Sequence, residues 1–225
     1  MKINADFSQR VVMHGPAMPW VASPMAGVER RMLDRIGDEV ARATSLVRYA
    51  PASHFSRHVH GGGEEFLVLE GVFQDEHGDF PAGSYIRNPP GSAHTPRSEP
   101  GCVIFVKLWQ FDPDDRAQTM IHTDRLPALP DAARPGLSVQ PLFRDKREDV
   151  RLETWAPGAR HMAKTAGGAE LFLLSGQLTE GEDVLGPHSW LRVPDGGALD
   201  LTAGPDGARV WIKTGHLRSV AVPAS

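Results

Sequence analysis

The chain sets three histidines and a glutamate in one spacing: His58, His60, Glu64 and, well downstream, His94. Side chains alternate between the two faces of a strand, so His58 and His60 point the same way and make a chelating pair. Gly61, Gly62 and Gly63 follow. Glycine adopts backbone angles that other residues resist, which lets the chain turn and return Glu64 to the same cavity. His94 must arrive from elsewhere, and Gly83 to His94 supplies it. A strand through Tyr85 and Ile86 is stopped by Pro89 and Pro90, which cannot continue a central ladder, so His94 is expected just after a tight turn. Imidazole nitrogens with one carboxylate suit zinc, iron, nickel, copper or manganese, and disfavour calcium or magnesium, which prefer oxygen donors. An isolated His-X-His is a weak signal. Two segments with their own turn glycines and four compatible ligands make a strong one. The expectation is one divalent transition metal per chain on His58, His60, Glu64 and His94, zinc first, with iron, manganese or nickel as alternatives. No organic cofactor is expected and no catalytic residue is assigned.

The elements that must carry these groups read as strands and turns. The run Glu65 to Leu69 is mostly apolar and ends at a turn at Glu70-Gly71, with Glu65 facing outward, opposite Glu64. Asp75 to Asp79 reads as a hairpin turn rather than a second metal site. The last strand of this half runs from Val103 to Phe111 and ends at Asp112-Pro-Asp-Asp. Gly27 to Val40 is the one helical stretch expected, although its charges form no clean amphipathic stripe. Several residues take structural readings. His54 is solvated or supports the ligands from behind, Cys102 is a small buried thiol, Arg87 is structural, and His161 is a surface or hydrogen-bonded histidine.

The pattern HxHxxxE, six residues and Gly, then GxxxxxPxGxxH, resembles the two cupin motifs at His58 to Gly71 and Gly83 to His94. Residues 41 to 49, 62 to 71 and 87 to 94 look like the signature of the ChrR cupin-like group, over roughly residues 20 to 110. That resemblance implies an all-β jelly-roll barrel, a double-stranded β-helix. It implies zinc on the four named residues in a regulator of the transcriptional response to oxidative stress, with a sigma factor as partner. Related single-barrel enzymes of the group cleave diketones or hydroxyketones with iron and dioxygen. The anti-sigma factor that names the group grips its partner through an amino-terminal helical domain with a zinc cluster of His and Cys. Met1 to Val12 holds no such cluster, and the only cysteine is Cys102.

Slid against itself by about 106 residues, the sequence repeats. Tyr49-Ala-Pro51 matches Trp155-Ala-Pro157, Gly61 to Glu64 matches Gly167 to Glu170, and Ser84 to Arg87 with Pro89 and Gly91 matches Ser189 to Arg192 with Pro194 and Gly196. Lys107 pairs with Lys213. The expectation is a bicupin: barrel 1–115, linker 116–136 rich in proline, barrel 137–225. On this alignment Lys164, Ala166 and Leu199 replace the histidines and only Glu170 survives, so the second barrel is read as binding no metal. Its expected role is to cover sheet edges and apolar surface, and a ligand pocket by Trp155, Phe172 and Trp190 is the alternative.

Length and composition fit two ordinary β domains: 225 residues with 23 glycines and 19 prolines, as many short strands and turns require. A net charge of −4 with dispersed Lys and Arg gives no basic face, so nucleic acid is not an expected partner. One cysteine excludes an intrachain disulfide. No apolar run approaches a membrane span and no signal-peptide core is seen, so cytoplasm is the expected location. A small-molecule ligand and a homo-oligomer are both compatible with this reading. Two functions follow. The expected one is a sensor or regulator in which four protein ligands close a tetrahedral zinc shell; the alternative is a dioxygenase in which an octahedral ferrous ion keeps two positions open.

Overall fold

The computed structural model describes residues 1–223. The fold is all-β, and among the described residues the only helical turns are short 3-10 segments at Gly15–Ala17 and Thr123–Arg125. Two units are present, one of Met1–Ala5 and Pro19–Arg125 with residues 221–223, the other of Asp6–Met18 and Leu126–Val220.

The first unit is an antiparallel ladder. Its strands run Lys2–Ile3, Val28–Gly37, Ala41–Tyr49, Cys102–Leu108, Glu64–Asp75, Ser84–Asn88 and Thr119–His122 in spatial order. A small separate pair, His58–Val59 with Ala93–His94, sets His94 directly opposite His58. The core beneath is aromatic and branched: Val47, Tyr49, Phe66, Phe73, Ile86 and Ile104 are buried in one cluster. Each such side chain contributes roughly 1.5–3 kcal/mol by leaving water.

The stretch expected as helix is the strand Val28–Gly37. It pairs with Ala41–Tyr49 across a turn at Gly37, whose φ is +118°. The charges that break a helical stripe obey a period of two instead. Glu29 lies opposite Arg48 and accepts its hydrogen bond at 2.9 Å, while Arg31 and Arg48 both lie over the Trp20 ring. The Glu65 strand is also longer than expected, Glu64–Asp75. Gly71 does not end it. The strand bulges just before it, at Leu69, where the register shifts between Val103 and Ile104, and Gly71 follows at φ +69°, where a Cβ would stand 2.0 Å from the Gly101 carbonyl oxygen. The strand after it closes earlier than expected, Cys102–Leu108.

The second unit repeats the order with Leu129–Pro130, Leu137–Arg144, Asp149–Trp155, Gly197–Thr214, Ala169–Glu180, Ser189–Val193 and Val11–His14. Its core gathers Trp155, Leu171, Leu173, Leu191, Leu201, Val210 and Ile212. The outer strands of the two ladders are drawn from unexpected places. Thr119–His122, inside the segment expected as linker, pairs with Ser84–Asn88, and its counterpart Val11–His14 pairs with Ser189–Val193. Each sequence repeat therefore lends an early strand to the ladder built mainly from the other.

Backbone registers correct the alignment of the repeats by one residue around the site. Arg87 stands opposite Glu65, and Arg192 opposite Glu170. Gly91 donates to the His60 carbonyl at 2.9 Å, and Gly196 to the Thr165 carbonyl at 3.1 Å. His94 faces His58 as Leu199 faces Ala163. The counterparts of the four ligands are Ala163, Thr165, Ala169 and Leu199, so Glu170 corresponds to Glu65 and no ligand type survives. The slip arises because both copies carry adjacent small and acidic residues after the turn, which sequence matching cannot place on a face. Glu65 itself is on the face opposite Glu64 but is buried, not outward, and accepts from the Tyr85 hydroxyl.

Candidate metal centre

His58 and His94 come from the two facing short strands, His60 from the start of the turn and Glu64 from the first residue of the long strand. The glycines between them do more than turn the chain. Gly63 has φ +77°, and a Cβ on it would meet the Phe111 ring at 2.4 Å. A Cβ on Gly62 would stand 2.3 Å from Trp109. Two aromatic rings lie flat against the loop, and only glycine leaves them room.

The four side chains converge. One ligand atom from each of His58, His60, Glu64 and His94 lies within 4.8 Å of all the others. The Nε2 atoms of His60 and His94 are each 3.5 Å from Glu64 Oε2, and the three side chains are 3%, 3% and 9% exposed. Both Nε2 atoms are buried with no hydrogen-bond partner among the described residues. Buried nitrogens left unsatisfied are costly, and a cation shared with the carboxylate satisfies them at once. The donor set, three imidazoles and a carboxylate, suits a divalent transition metal.

Supporting contacts fix which nitrogen each ring offers. His94 Nδ1 bonds Asp75 Oδ2 at 3.0 Å, and His58 Nδ1 bonds the Ser56 carbonyl at 3.0 Å. Since both partners accept, the rings carry their protons on Nδ1 and turn Nε2 inward. Asn88 donates to Glu64 Oε2 at 3.2 Å. The Phe73 ring leans on His94 at 5.7 Å.

Charge at the site is uneven. Burial pushes the His60 pKa down, and the Glu64 carboxylate only partly opposes it. Burial also works against protonating His94, but the Asp75 hydrogen bond and the charges of Glu64 and Asp75 outweigh it, so its pKa is raised. Asp75 resists burial through its bonds to His94 and the His77 amide and stays below its ordinary value.

Asp75 and Asn88 escaped the sequence reading. Asp75 does sit at the hairpin turn, where its carboxylate also accepts from the His77 amide at 2.7 Å. Only the register shows that its second oxygen reaches His94. His54 is exposed and 4.0 Å from Glu99, away from the ligands. Arg87 is buried over the Phe111 ring and paired with Asp115 at 3.0 Å. Cys102 is buried, and burial raises its thiol to about 11.

A cavity of about 480 Å³ opens onto His58, His60 and Glu64. Val28, Val47, Ile104 and Val106 form an apolar wall, and Arg30 and Arg35 are also in its lining. The second unit has a smaller cavity of about 260 Å³ that includes Trp155, His161 and Lys164. Phe172 and Trp190 are fully buried and take no part in it.

Residues 8–112 match the ChrR Cupin-like domain. No curated protein matches the chain significantly. Among solved structures, a candidate dioxygenase from Nostoc punctiforme is 17% identical with a TM-score of 0.78, over 97% of this chain and 87% of that one. A cupin 2 conserved barrel domain protein from Leptotrichia buccalis is 10% identical with a TM-score of 0.59, over 86% and 91%. Bacillus subtilis oxalate decarboxylase, a protein with Mn(II) centres, is 12% identical with a TM-score of 0.63, over 95% and 78%. At these identities the likeness establishes a cupin-like barrel fold.

Proposed function

With residues 8–112 matching the ChrR Cupin-like domain, we propose that the chain is a bicupin whose first unit is a metal-dependent oxygenase centre. Its substrate is a small organic molecule with oxygen donors. The observation that carries this reading is the cavity of about 480 Å³ whose lining includes His58, His60 and Glu64. Ligands that only lock a conformation have no need of an apolar chamber beside them, whereas a substrate site does.

A bound ferrous ion would polarise a substrate oxygen and supply electrons for dioxygen chemistry. The chain's own residues do the rest. Asp75 and the Ser56 carbonyl accept from Nδ1 of His94 and His58, so both rings are already turned to present Nε2. Asn88 keeps one oxygen of Glu64 directed at the same point. Val47, Ile104 and Val106 keep water from that side of the substrate, and electrostatic contacts strengthen as water leaves.

A second reading draws on the four-ligand set itself, which is enough to close a tetrahedral zinc shell in a regulatory module that contacts a sigma factor or another protein. One experiment separates the two. The protein is purified without a chelating tag, its metal is analysed, and oxygen uptake is followed with ferrous iron and a panel of β-diketones, hydroxyketones and 2-oxo acids. Iron-dependent uptake that is abolished in His60→Ala is the expected result. Stoichiometric zinc with no uptake overturns the oxygenase in favour of the regulator.

A further inference from the structure

The cavity beside the metal-binding candidates is lined by a cation that pairs with none of the described residues. Arg30 lies on the inner face of the Val28–Gly37 strand, opposite Val47, which in turn lies opposite Ile104, and all three residues line the cavity. The residue is half-buried, and among the described residues none forms a hydrogen bond or ion pair with its guanidinium. Its sequence neighbours are engaged on the other face: Glu29 with Arg48, and Arg31 over Trp20. Arg35, the other guanidinium in the lining, donates to the carbonyls of Gly37 and Asp38. Arg35 is itself made less basic, first by burial and then by Arg30, so the two positive charges feel each other. The acids of the lining are Glu39, which is exposed, and Glu64, which is committed to the histidines.

A guanidinium partly stripped of water against valine and isoleucine, with no acceptor, is an unfavourable arrangement that an incoming anion relieves. Its planar fork fits a carboxylate with two parallel hydrogen bonds. The buried Tyr49 phenol lies within Coulombic reach of both Glu64 and Arg30, so the metal end and the cationic wall belong to one chamber.

We propose that the substrate is a small monocarboxylate, its carboxylate held by Arg30, its apolar body against Val47, Ile104 and Val106, and a further oxygen toward His58, His60 and Glu64. For the metal end this rests on the function proposed above; for Arg30 it rests on the cavity alone. A neutral ketone of the same shape leaves Arg30 unpaired and binds less well.

The test is calorimetric binding of 2-oxopentanoate and of its methyl ester to the manganese-loaded and the metal-free protein. Wild type is expected to prefer the acid by roughly tenfold or more, the contribution of one charge-assisted pair. Arg30→Gln should bring acid and ester within about twofold, the general scatter of single contacts, while metal content and ester affinity stay as in wild type. Arg30→Lys should retain an intermediate preference. No preference in wild type, or a full preference in Arg30→Gln, overturns the proposal. If Arg30→Gln does not fold, as thermal unfolding would reveal, wild type and Arg30→Lys decide. Failure to take up any metal defeats the oxygenase reading instead, and the acid-to-ester ratio of the metal-free protein still decides the role of Arg30.

Discussion

At the scale of single residues, Asp75 governs the behaviour of His94. Replacing it with Asn removes the acceptor charge but little volume, and partners of this kind tune metal affinity by about 10- to 100-fold. Chelator competition on Asp75→Asn should show a loss in that range with an unchanged fold; an unchanged affinity would show that the 3.0 Å contact to His94 is incidental. Proton release gives a second reading. His94 has a raised pKa and so keeps part of its charge near pH 7, whereas His60, with a lowered one, is already neutral. A metal requires both rings neutral, so its uptake near neutral pH should release protons from His94, and fewer in Asp75→Asn, as followed in weak buffer with an indicator dye. The sign also holds without metal. The charged His94 with Asp75 adds stability below the ordinary histidine value, and that contribution fades as pH rises through the raised one. Cys102, with its thiol at about 11, should resist iodoacetamide at pH 8 in the native protein and react once unfolded. That His58, His60, Glu64 and His94 could cluster was legible in the sequence, because residue type and spacing alone suggest a chelating set. Asp75 and Asn88 were not, since ordinary turn and strand residues become partners only through register.

Elements position these groups, and the loop Gly61 to Gly63 is the one with least freedom. Gly63→Ala faces both a φ of +77° and the Phe111 ring, so about 1–3 kcal/mol of stability should be lost, with weaker metal binding because His60 and Glu64 flank the loop. Denaturant unfolding and metal titration on the same variant check it, and full affinity at wild-type stability would refute it. The sequence displayed the loop's glycines but not the rings of Trp109 and Phe111 that demand them, since these arrive from distant residues. The Val28–Gly37 strand does not look like one in the sequence for a related reason. Its alternation carries charge on both faces, Arg30 toward the cavity and Glu29 toward Arg48, so neither face looked apolar. Strand pairing, rather than hydrophobic pattern, decides its conformation.

At the scale of the whole molecule, the repeat is visible in sequence but the exchange of early strands is not. Thr119–His122 sat in a proline-marked stretch that reads as linker, and a four-residue strand carries too little pattern to betray its partner. The carboxy-terminal unit relies on Val11–His14, with Val12 packed against its core. Residues 126–220 produced alone should therefore show a bare Ser189–Val193 edge and a low, broad thermal transition. A peptide of residues 6–18 added in trans should sharpen it, whereas the same peptide with Val12→Asp should not. Equal melting with and without the peptide would count against any such dependence. The arrangement also sets a schedule for synthesis. Val11–His14 leaves the ribosome almost first, while its mate Ser189–Val193 emerges almost last. At synthesis rates of about 5–20 residues per second the early strand waits on the order of ten seconds or more, exposed to wrong pairings, before translation delivers the edge it completes.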